Sequence, residues 1–210
     1  LSADNPNHID PATADTRQGS QVTEVLYDGL TEVDENNEVV GKVAESWEAN
    51  DDSTVFTFTL RDDVTFSNGE AVTPTTFVKS WERVLNPELA SDLSYHLLPI
   101  KGAAEYFSGD ADSVEGLVAD DDANTLEVTL NDPLSDWPAV VTHTVFSPVP
   151  EEAYSATTAD AINEWETGIM IGNGAYKVES WTMDEEIVMV PSETYYDVAS
   201  LKNKKIVWKL

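Results

Sequence analysis

LYDGLTEVDENNEVVGKVAESW at Leu26–Trp47 and FTFTLRDDVTFSNGEAVTPTTFVKSW at Phe56–Trp81 carry the reading of the fold. In VFTFTL, Phe56, Phe58 and Leu60 alternate with Val55, Thr57 and Thr59, the pattern of a half-buried strand. Thr31–Val33 and Glu38–Val40 flank the turn DENN, and Glu45–Glu48 and Val55–Leu60 flank ANDDS, which predicts two hairpins. Thr73-Pro74 then opens a helix, because Thr can cap and Pro at the first helical position gives up no needed hydrogen bond. Phe77, Val78, Trp81, Val84 and Leu85 form its apolar stripe, and Pro87 ends it.

Upstream, Asp10-Pro11 reads as a turn, followed by Val22, Val25, Leu26 and Leu30 at helical spacing, with Gly29 expected to close that helix in a left-handed conformation. Downstream, a second helical region is expected over Leu93–Phe107, then an acidic loop through Asp122 and a strand at Thr125–Leu130 stopped by Pro133. The prolines of VFSPVP, Val145–Pro150, mark a boundary or crossover. After it come a helix near Thr157–Glu166, the turn GNGAY at Gly172–Tyr176, and strands at Tyr176–Thr182, Glu186–Val190 and Lys205–Leu210. Leu1 reads as the tail of a strand at a trimmed start, and the last strand as one that continues in a longer protein.

The 210 residues and 41% hydrophobic content suffice for an ordinary packed core. With 40 acidic against 11 basic residues, the formal charge of -29 argues against nucleic acid or an anionic membrane as partner, since both need a basic footprint. The acids are dispersed, as on a solvated surface. Without cysteine there is no disulfide, thiolate metal site or thiol nucleophile. No apolar run approaches the ~20 residues that span a bilayer, and no signal peptide is present.

Catalytic patterns fail on spacing. Asp110 with Asp112 and Asp120–Asp122 read as solvated turns rather than calcium ligands or glycosidase carboxylates. An EF-hand begun at Asp34 puts Val39 where the loop requires Gly. Trp47, Trp81, Trp181 and Trp208 fall at positions expected to face a core, leaving Trp137 and Trp165 freer. There is no G-x-S-x-G elbow, no G-x-G-x-x-G and no phosphate loop.

The opening block resembles the extracytoplasmic oligopeptide- and dipeptide-binding proteins of ABC importers. The resemblance rests on a Y-x-G-L helix end, A-x-S-W, an aromatic-threonine strand ending in L-R, F-S-N-G-x-A-V-T, and a helix containing T-F-V, all in the family's order. LNPELAS at Leu85–Ser91, TLEVTLNDP at Thr125–Pro133, SPVP at Ser147–Pro150 and GNGAYKVESW followed by ETYYD extend it over essentially the whole chain.

The resemblance implies an α/β periplasmic-binding-protein-like lobe with mixed β-sheets, lacking a second lobe. Residues 1–30 and 151–210 would form a discontinuous central subdomain, and residues 31–150 a smaller inserted one. It implies a non-enzymatic protein without a cofactor or metal, outside the membrane, with a possible lipid anchor upstream. Such a protein captures short peptides through their main chain for an ABC permease. Nickel, haem or oligosaccharide on the same scaffold are alternatives, and a carboxylate-based glycoside hydrolase is the rival from another class. Carried over by position, the ligand-contact candidates are Asp15, Thr16 and Arg17 after the Asp-Pro turn, Leu93 with Tyr95 nearby, and His143 before the crossover.

Overall fold

The computed structural model describes residues 5–168 and 170–210, so the expected strand tail at residue 1 lies outside the described residues. Helix α1 (Arg17–Leu26) starts at Thr16, whose hydroxyl accepts the Gly19 N–H at 3.2 Å, and buries Gly19, Val22, Thr23 and Leu26. It ends at Tyr27 in extended backbone, and Gly29 does not adopt the expected left-handed conformation. A tertiary partner replaces the local cap. The Leu26 carbonyl accepts from Gly174 N–H at 2.9 Å, and the Asn173 amide pairs with both the N–H and the C=O of Asp28.

Strands β1 (Thr31–Val33) and β2 (Val39–Gly41) form a hairpin. A four-stranded sheet follows, in which β3 (Ala44–Ala49) pairs with β4 (Val55–Leu60), and β4 with β6 (Thr125–Thr129), which also holds β5 (Leu117–Asp120). Phe56, Phe58 and Leu60 point into the core as their alternation requires. Helix α2 (Pro74–Val84) packs on β5 and β6 and begins with a reciprocal capping box between Thr73 and Thr76. In place of a helix over Leu93–Phe107 there is a single 3-10 turn, Ser94–His96, and then α3 (Ala103–Phe107). Pro99 cannot donate a backbone hydrogen bond, and Gly102 sits at φ +78 between them.

The chain continues through α4 (Trp137–Val140), α5 (Glu151–Tyr154) and α6 (Ala159–Thr167). Strands β7 (Tyr176–Thr182), β8 (Glu186–Pro191) and β9 (Ile206–Lys209) close it as a third sheet. The α/β composition with several sheets is as expected, and every strand pair among the described residues is antiparallel.

Two apolar clusters form. The larger gathers Phe56, Phe58, Phe66, Phe77, Trp81, Trp137 and Phe146, with Phe146 edge-on to Trp81 at 5.3 Å and to Trp137 at 5.5 Å. Trp137, expected to be freer, is thus 0% exposed, while Trp165 is half-buried against both clusters. The smaller joins Ile9, Val22, Leu26 and Tyr27 to Val149, Tyr176, Ile187 and Met189. A buried fork ties these regions together: Arg83 grips Asp10 and the Ala156 carbonyl. Glu166 in turn accepts the N–H groups of Ile9 and Asp10 at 2.9 and 3.0 Å.

Candidate functional site

Helix α1 presents Arg17, Ser20 and Glu24 at spacings of three and four, which places them on one face. Arg17 and Glu24 are exposed, and grooves lie along this face. Near its start, Asp15 and Leu93 line a groove of about 380 Å³ with His8 and Ser91. Thr16 spends its hydroxyl on the helix cap. Leu93 turns inward at 8% exposure, whereas Tyr95, two residues on, is 59% exposed. The aromatic surface therefore belongs to Tyr95 rather than to position 93.

One turn further along α1, Ser20 and Glu24 face His96, His143 and Thr144 across a groove of about 490 Å³. Tyr95, His96 and His143 form a continuous stack, with centroids 4.1 Å apart in the first pair and 4.3 Å in the second. His143 caps the 3-10 turn Thr144–Phe146: its Nδ1 accepts the Val145 N–H at 3.1 Å. That turn rests on a fixed floor, because Trp81 Nε1 donates to the Phe146 carbonyl at 2.8 Å. Burial lowers the pKa of both histidines, and the neighbouring His96 charge adds to the lowering at His143.

The six sequence candidates thus fall in two neighbouring places. Asp15 and Leu93 share one groove; His143 lines the other, which Tyr95 meets only by stacking on His96, its own ring lining a separate groove with Leu98 and Pro133; Thr16 and Arg17 sit at the start of α1. The sequence reading missed His96, Ser20 and Glu24. The i, i+3, i+7 spacing from Arg17 carried the signal for the last two; nothing local marked His96, whose role depends on a ring 47 positions away.

Glu24 and Thr144 also line a third groove, about 380 Å³, that runs to Asp28, Glu32 and Lys42. Lys42 pairs with Glu32 and lies 3.5 Å from Asp28, and the Tyr196 hydroxyl donates to Asp28 at 3.4 Å. Burial pushes the Asp28 carboxyl up, against the pull of Lys42. Burial does the same to Glu166, against its hydrogen bond with His8. Both acids are committed to structural partners. Two of the acids that sequence spacing set aside have structural roles: Asp121 accepts the Thr75 N–H at 2.9 Å at the start of α2, and Asp120 accepts from Ala123. Among the described residues no group of three or more His, Cys, Asp or Glu is arranged to hold a metal ion, and no helix is long and apolar enough to cross a membrane.

Comparison with known proteins agrees with this architecture. A family model described as bacterial extracellular solute-binding proteins, family 5 Middle, matches residues 38–210. The periplasmic murein peptide-binding protein MppA of Escherichia coli is 33% identical over 98% of this chain and 38% of its own length. The dipeptide-binding protein DppE of Bacillus subtilis is 30% identical over 98% of this chain and 37% of its own length. The crystal structure of Haemophilus influenzae OppA in complex with RPPGFSPFR superposes with a TM-score of 0.89 at 27% identity, covering 98% of this chain and 40% of that chain. The chain therefore spans well under half the length of the relatives it matches.

Proposed function

The chain belongs to the bacterial extracellular solute-binding proteins of family 5, and from that membership we propose that the full-length protein captures short peptides outside the membrane as the substrate-binding component of an ABC importer. The observation that carries this reading is the exposed face of α1 opposite the Tyr95–His96–His143 stack. There, hydroxyl, imidazole and carboxylate groups lie along one groove, and the exposed Tyr95 ring stacks on the outer side of His96. An extended peptide offers matching chemistry, with alternating N–H donors and C=O acceptors along its main chain and side chains on either hand. That OppA of Haemophilus influenzae was crystallised with a nonapeptide supports the same ligand class here.

Asp15, Arg17, Tyr95 and His143 are the contact residues in this reading; Leu93 lines the groove beside Asp15, and Thr16 caps the helix that carries Arg17. Main-chain recognition gives broad specificity, and bridging water lets one pocket accept different side chains. No chemical step is required, so the protein is a binding protein and the permease is its macromolecular partner. In this reading residues 1–30 and 151–210 act as a central subdomain and 31–150 as an inserted one; the smaller cluster, drawn from residues 9–27, Val149 and residues 153–189, is mostly central, while the larger joins Ala12, Leu30 and Ile171 to the inserted part. Mass spectrometry of ligands that co-purify with the full-length protein tests the ligand class: released peptides are expected, and a sugar, haem or metal in their place would overturn it.

A further inference from the structure

The neutral form of His143 is set by hydrogen bonding. A backbone N–H can only donate, so the Val145 N–H fixes a lone pair on Nδ1 and leaves the proton of the neutral ring on Nε2. The ring cannot easily surrender this arrangement, because the turn it caps is anchored beneath by the Trp81 bond to the Phe146 carbonyl. His96 lies flat against it, 4.3 Å between centroids and 30° between planes. A second positive charge at that distance opposes the first. The other titratable groups facing the pair are Glu24, across the groove from α1, and the Tyr95 phenol, on the outer side of His96.

We propose that His96 is a positioning residue that keeps His143 neutral and presenting Nε2–H, so that the groove accepts a neutral hydrogen-bond acceptor such as a peptide carbonyl and releases it when acid charges the pair. This rests on the peptide reading above for the identity of the acceptor. The device itself is a property of the two rings. A proton added at Nδ1 of His143 sets two N–H groups against each other at the Val145 bond and places two cations in one stack. The wall of the groove then opens.

Histidine nitrogen NMR on the full-length protein reads the rings without any ligand, with assignments from His96→Phe and His143→Gln. The expected spectrum of His143 is the Nε2–H tautomer, titrating below the free imidazole. In His96→Phe, which keeps a flat ring but removes the charge, its titration moves to higher pH. An Nδ1–H tautomer, or a titration indifferent to His96→Phe, overturns the proposal. Calorimetry with a mixed tri- to pentapeptide pool adds the functional arm: affinity is expected to fall at least about tenfold from about pH 7.5 to about pH 5, and the fall to begin at higher pH in His96→Phe. Equal affinity at both pH values also overturns the proposal. Absence of peptide binding at every pH counts against the peptide reading, and the NMR result still decides the ring pair.

Discussion

Arg83 closes a two-bond fork on Asp10, Nη1 to Oδ1 at 3.0 Å and Nη2 to Oδ2 at 2.6 Å, with both side chains buried. Burial works against the arginine charge, and the Asp10 carboxylate more than restores it. Arg83→Ala leaves a buried carboxylate unpaired and is expected to cost about 3–5 kcal/mol. The double variant Asp10→Asn with Arg83→Met should cost less than the single one. Urea unfolding of wild type, Asp10→Asn, Arg83→Met and the double variant closes the cycle, and a double variant as unstable as the sum of its two parts would contradict the pairing.

The turn Gly172–Gly174 packs directly on the end of α1. A Cβ on Gly172 would meet the Leu26 carbonyl oxygen at 2.0 Å, a backbone atom that cannot swing aside. Gly172→Ala is therefore expected to destabilise by about 1–3 kcal/mol through overpacking. Gly69→Ala is a different test, since Gly69 has open space around it but φ +88; its cost is about 1–2 kcal/mol, from backbone strain alone. Thermal unfolding should rank both below wild type, and an unchanged Gly172→Ala would show that the turn is free to shift.

Much of the fold was legible because local chemistry and tertiary packing agree. Val55–Leu60 is a strand where the alternation puts it, and Thr73-Pro74 starts α2 with a full capping box. The misreadings share a cause. Gly29 carries the local signal of a cap, but Asn173, 145 positions away from Asp28, satisfies the chain there. Trp137 looked free because the ring that covers it, Phe146, lies beyond the helix it belongs to. The site behaved likewise: Tyr95 and His143 could be named separately, but His96 acquires its place only when the fold stacks all three rings.

The histidine pair also gives stability a pH dependence. Both rings titrate below their ordinary value of 6.5 in the folded protein, because burial disfavours the charged form. The unfolded chain then binds more protons, so this contribution is fully present above pH 6.5 and is lost as pH falls through the lowered folded values. Asp28 and Glu166 act in the opposite sense, their raised values favouring the folded state as pH falls. Urea unfolding of wild type and His96→Phe, between about pH 7.5 and about pH 5.5, isolates the histidine part. The variant should lose less stability on acidification, and equal losses would contradict the assignment.

Tyr95 is mostly exposed, so Tyr95→Ala should leave stability within about 0.5 kcal/mol of wild type. Loss of its aromatic surface should nevertheless weaken peptide binding by about 0.5–1.5 kcal/mol, roughly two- to tenfold. Leu93→Ala should do the reverse, because Leu93 is buried and its truncation, costing about 2–5 kcal/mol, is felt in folding before it is felt in binding. Denaturation curves beside binding isotherms separate the two effects, and a reversed order would place the contact at position 93.

Calorimetric titration of the full-length protein with a mixed pool of short peptides at neutral pH, wild type beside Tyr95→Ala and His143→Gln, tests peptide capture at this groove most directly. Saturable binding to wild type, weakened in both variants, with stability retained in Tyr95→Ala, is the expected result. No heat from any peptide, or saturation indifferent to both substitutions, would contradict it.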